Sequence, residues 1–156
     1  MKYIDNPKQL VKEAVDLNKE VGSTTALLLT LHPNTGMLKV YYLGDSVYAI
    51  INPTNSSYRM APDQQYEFNF PVQVGTNGAD PEHGIYHEYK ADEILQEEYI
   101  VAGSDGIWDN LKDFMIYQIV TEKGKTLDQK AATMTQAANH YGKMPDYDSP
   151  FHLKAK

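Results

Sequence analysis

Carboxylates set beside glycine just beyond predicted strands are how proteins hold hard divalent cations. Mg²⁺ and Mn²⁺ prefer oxygen ligands and keep several waters, and glycine lets backbone and solvent approach. Two segments of the chain meet that description. Leu43-Gly44-Asp45-Ser46 carries Asp45, and Ser104-Asp105-Gly106-Ile107-Trp108-Asp109-Asn110 carries Asp105 and Asp109. Singly, each has a plainer use: Gly44-Asp45-Ser46 also reads as a tight turn, and Asp109-Asn110 as a helix cap. His83 and His87, with Asp80 and Glu82 nearby, form a weaker candidate metal clip, because a four-residue histidine spacing suits a helix and these fall around a strand.

The elements that must position these acids follow from local pattern. Asn6 is a good N-cap and Pro7 suits the first helical position; Leu10, Ala14 and Leu17 recur at helical spacing until Gly22, a plausible stop. Residues 26–31, 38–43 and 47–51 are short β-prone runs, separated by Pro33-Asn34-Thr35-Gly36 and Gly44-Asp45-Ser46. A polar turn over 52–57 precedes Tyr58-Arg59-Met60, and residues 61–84 read as a long loop studded with Pro and Gly. Strands are expected over 85–89 and 99–102, joined by the acidic segment 90–98, so the Asp105 motif lies at a strand end. Asp109 or Asn110 is expected to cap a helix from Leu111 to about Glu122. Thr126-Leu127-Asp128-Gln129 is a capping box that opens a helix to about Tyr141, ending at Gly142.

Strands followed by helices predict an α+β arrangement, mainly antiparallel sheets flanked by helices, in a single domain over 1–156. The 156 residues are 42% hydrophobic and 11% aromatic, enough for a real core. Fourteen basic against 21 acidic residues give a net charge of −7, with Arg59 the sole arginine, so no basic face is available for nucleic acid. The absence of cysteine excludes a disulfide scaffold, a thiolate metal site and cysteine nucleophilic chemistry. No apolar run approaches the roughly 20 residues of a membrane helix, and residues 1–5 carry no legible targeting pattern. These points suit an intracellular soluble protein. The 12 tyrosines include Tyr41-Tyr42 in a predicted strand, where packing or interface use is expected.

Three segments in order, Gly22-Ser23-Thr24-Thr25-Ala26, Leu43-Gly44-Asp45-Ser46 and Ser104 to Asn110, resemble motifs of the type-2C metal-dependent protein phosphatases. Asp63-Gln64-Gln65 with Phe68-Asn69-Phe70-Pro71, and Tyr147-Asp148-Ser149-Pro150-Phe151, are similar to the branch typified by mitochondrial phosphatases. The resemblance runs from about Pro7 to Phe151. It implies an α-β-β-α sandwich in which acids at strand ends hold two Mg²⁺ or Mn²⁺ ions that activate the water attacking a phosphoserine or phosphothreonine. It assigns Asp105 to that binuclear centre, and Asp45 and Asp109 to a third, weaker metal site.

The same resemblance marks what is missing. The family's Asp-Gly-X-Gly-Gly motif belongs upstream of Gly22, where no glycine occurs. Arg59 matches no phosphate-binding position, and the Gly-X-X-Asp-Asn/Asp segment belongs beyond Lys156. The expectation is therefore an incomplete sandwich without catalytic residues. Asp105, Asp45 and Asp109 are its vestigial or weak metal positions, and Mg²⁺ or Mn²⁺ is bound weakly or not at all. As a pseudophosphatase it would act as a structural or accessory subunit, with other protein chains covering the open sandwich, possible residence in a mitochondrion, and no nucleic acid or membrane span. The alternative is a fragment of an active serine/threonine phosphatase.

Overall fold

The structure, a computed structural model, describes residues 6–76, 78, 81–90, 93 and 98–156. It gathers them into two compact units, Met1–Val47 with Ala61–Gln96, and Tyr48–Met60 with Glu97–Lys156.

The first unit opens with α1 (Pro7–Leu17), whose Asn6 side chain accepts a hydrogen bond from the Gln9 N–H at 3.0 Å. The helix ends well short of Gly22. The Asn18 side chain exchanges hydrogen bonds with Glu20, at 3.0 and 3.1 Å, and this local turn competes with another helical residue. Next come β1 (Ser23–Thr24), β2 (Ala26–Leu31) and β3 (Leu38–Leu43). β2 and β3 pair antiparallel, with Ala26 opposite Leu43 and Leu31 opposite Leu38. Apolar residues on both faces make β3 the buried middle strand. Tyr41 and Tyr42 within it are fully buried, as packing residues should be, and the Tyr41 hydroxyl donates to the Pro81 carbonyl at 2.6 Å.

In the second unit β4 (Val47–Asn52) is buried along its whole length, lies between two neighbouring strands, and pairs antiparallel with β5 (Ser57–Met60). The expected loop over 61–84 contains three short strands. β6 (Gln65–Glu67) and β7 (Phe70–Pro71) form a hairpin turned at Asn69, whose φ of 56° is a conformation asparagine tolerates. β8 (Val74–Gly75) pairs with β1. Strands of two or three residues are too short to carry a detectable alternating pattern, which is why they read as loop. β9 (Ile85–Tyr89) completes the first unit's sheet against β3, and Val11, Tyr41, Leu43, Val72 and Val74 make its core.

β10 (Tyr99–Gly103) lies beside β4 and runs into α2 (Asp105–Trp108), α3 (Asp113–Thr121), α4 (Leu127–Tyr141) and α5 (Pro150–Lys154). α4 starts at the expected capping box, with Thr126 and Gln129 bonded reciprocally at 2.9 and 3.2 Å. Neither Asp109 nor Asn110 caps α3: its cap is Lys112, without a side-chain bond, because both acid-motif residues are already used by α2. Asp109 N–H donates to the Asp105 carbonyl at 2.8 Å and the Asn110 amide to the Gly106 carbonyl at 3.0 Å. Both units are thus antiparallel sheet with helices alongside. Of the acidic segment 90–98, residues 91, 92 and 94–97 lie outside the described residues. No helix among those described is long and apolar enough to cross a membrane.

Burial also sets a pH limit. It pushes the Tyr42 hydroxyl up to about 12, with Tyr89 and then Asp63 adding to it. Burial likewise raises Tyr58, beside Asp113. An unfolded tyrosine ionises near pH 10, so between that point and about 12 the native chain binds more protons than the unfolded one. Stability is expected to be whole below pH 10 and to fall as pH rises towards 12. Urea midpoints measured across that range should slope downward, and Tyr42→Phe should make the slope shallower.

Candidate functional site

Asp45 is half-buried on the turn leaving β3, and that turn is held from three directions. Gly44 has φ +98°, outside the range ordinary side chains adopt, and a Cβ there would strike the Thr25 methyl and come within 2.6 Å of the Val72 carbonyl oxygen. Its N–H donates to the Gln64 side-chain oxygen at 3.1 Å, and its carbonyl accepts from the Gln64 N–H at 2.9 Å. The Thr25 and Ser46 hydroxyls bond at 2.7 Å. Three motifs singled out in the sequence, around Gly22–Ala26, Gly44–Ser46 and Asp63–Gln65, therefore converge on one turn. Gly22 itself is tied to Thr76 by reciprocal bonds at 3.0 Å, beside the β1–β8 pair.

Asp105 and Asp109 belong to the second unit. Trp108 is buried and its indole N–H donates to the Gly103 carbonyl at 2.7 Å, which closes α2 back onto the end of β10. Asp105 is exposed at the first position of α2, and Asp109, half-buried, follows one turn later. The Asp109 carbonyl accepts from the Phe151 N–H at 3.1 Å, so the Ser149-Pro150-Phe151 segment, which caps α5, braces the acid turn. In the sequence this segment stands out by its likeness to the mitochondrial-phosphatase branch, and its Ser-Pro pair suits a helix start.

The histidine pair does not form a clip. His83 ends a 3-10 turn (Pro81–His83), whereas His87 lies within β9 with its ring edge-on to Tyr42 and Tyr89, 5.9 and 6.1 Å between centroids. Glu82 pairs with Lys8, and Asp80 lies outside the described residues. Among the described residues no three His, Cys, Asp or Glu side chains converge to hold a metal ion. A binuclear Mg²⁺ or Mn²⁺ centre needs several carboxylates at once. Asp105 and Asp109 do not fit one by themselves.

No family model matches the chain. Individual proteins do. It is 26% identical to probable protein phosphatase 2C 26 of Arabidopsis thaliana over 97% of its own length and 49% of that protein's. It is 27% identical to protein phosphatase PTC7 homolog of Xenopus laevis over 92% of its own length and 50% of that protein's. The X-ray structure of the photosystem II phosphatase PBCP superposes with a TM-score of 0.89 at 24% identity, covering 99% of this chain and 59% of that one. In sequence the chain is thus similar to proteins named as type-2C and PTC7-like protein phosphatases, and it shares the fold of a solved phosphatase of that kind. It spans about half the length of the curated relatives it matches.

Gly44→Ala is expected to destabilise the first unit by about 2 kcal/mol, since backbone strain and overpacking act together. Gln64→Ala, which strands a buried N–H, should cost about 1–2 kcal/mol. Urea denaturation of both variants checks the ordering.

Proposed function

We propose that the chain, acting alone, is not a phosphatase. It is a pseudophosphatase that serves as a structural or accessory subunit of a larger assembly, with other protein chains covering its open sheet edges. The observation that carries this reading is the fate of its sole arginine. Arg59, on β5, reaches both Glu98 oxygens from one nitrogen at 3.1 and 3.3 Å, and the Glu98 side chain is only 3% exposed. Asn52 adds a bond to the same carboxylate at 3.3 Å. A guanidinium held by a buried carboxylate is less available to a phosphate dianion, and releasing it would cost Glu98 its cationic partner. Open edges support the subunit role: among the described residues β2 and β9 border one sheet, and β10 and β5 another.

A second reading, in which these residues are part of an active Mg²⁺- or Mn²⁺-dependent serine/threonine phosphatase, is favoured by Asp45 just past β3, Asp105 just past β10 and Asp109 at the end of α2, all on braced turns. Mitochondrial residence follows only the resemblance to the PTC7-like branch, and imaging of a fluorescent fusion checks it.

Activity of the chain by itself tests the first reading. The purified chain with Mn²⁺ is expected to release no phosphate from a phosphothreonine peptide above the protein-free blank. Its Mn²⁺ affinity should be on the order of millimolar or weaker, as befits a site with few charged ligands. Turnover that Asp105→Ala abolishes would sink the first reading and establish the second.

A further inference from the structure

Lysine is almost never fully buried without a partner of opposite charge. Lys130, on α4, is 7% exposed. Its ammonium donates to the Val120 carbonyl and, at 3.2 Å, to the Tyr99 hydroxyl, and stands 4.4 Å from the centroid of the Tyr99 ring. Val120 belongs to the last turns of α3, so the cation also meets the negative end of that helix. All these partners are neutral. Among the described residues no carboxylate forms an ion pair with Lys130. Two of its three N–H donors are used.

The same side chain lines a groove of about 350 Å³ within the second unit, whose other walls include Ile100, Ile107, Val120, Leu127 and Met134. That volume lies in the range of small-molecule sites, roughly 300–1,000 Å³. Leu127 is 70% exposed, so the groove opens to water. Apolar walls around one fixed cation recognise a molecule with an apolar body and a single negative head. A dianion suits it less, because the groove supplies one positive charge and Asp128 stands among its lining residues.

We propose that this groove is a binding site for small amphipathic monocarboxylates, with the carboxylate pairing to the Lys130 ammonium and an aryl or short alkyl body lying on the walls. The site needs no metal, although its wall residue Ile107 belongs to the Asp105 motif.

The test compares 4-phenylbutyrate with its neutral amide on the whole chain, by calorimetry and by NMR of the Ile107 and Met134 methyl groups. The acid is expected to bind about tenfold more tightly or better, the contribution of one charge-assisted hydrogen bond, and to shift both methyl signals. Lys130→Met should abolish the preference for the acid while leaving weak amide binding in place. Equal binding of acid and amide, or no binding of either at millimolar concentration, overturns the proposal and leaves Lys130 as a cap for α3 only. Shifts confined to other regions overturn it as well. The comparison on the unsubstituted chain decides the matter even where Lys130→Met fails to fold.

Discussion

Gly44 has room for a hydrogen and nothing larger, and the arrangement of the first unit around Asp45 depends on that. With no Cβ, the backbone leaving β3 can lie against Thr25 and the Val72 carbonyl, turn at φ +98°, and offer its N–H and C=O to Gln64. Each contact comes from a different stretch of chain. The turn thereby ties the start of β2, the end of β3 and the segment before β6 into one structure, and its two peptide groups are satisfied without water. Asp45 inherits its position from this bracing rather than from any interaction of its own motif.

The second unit poses a different problem, two buried charges, and solves it in two ways. Glu98 is matched by Arg59 and Asn52, a charged pair with a supporting amide, so its desolvation is offset by direct attraction. Lys130 is matched only by a carbonyl, a phenol and an aromatic face. The first arrangement engages the only arginine of the chain with a buried carboxylate. The second leaves a cation beside an apolar groove with part of its hydrogen-bonding capacity unused.

Much of the architecture was legible because its signals are local. β2, β3 and β9 fall where short β-prone runs and turn residues put them, and α4 begins at the Thr126–Gln129 box because both partners lie within one turn. Misreadings arose where local signals compete. Asn18 ends α1 early by bonding to Glu20, and Asp109-Asn110 close α2 rather than open α3, since the same side chains serve either helix end. The strands within 61–84 depend on partners remote in sequence, as with Ser23 opposite Gly75, and two-residue strands have no period to detect.

The sequence by itself determined the likeness to type-2C phosphatases and the α+β class, because the segments around Gly22, Asp45 and Asp105 keep their residue types and order, and it determined that a single arginine is available. Tertiary structure alone decided what those residues can do. It bound Arg59 to a glutamate 39 positions away, folded Gln64 back onto Gly44, and buried Lys130 against Tyr99. Desolvation and charge pairing depend on which side chains meet in space, and no spacing along the chain encodes those meetings.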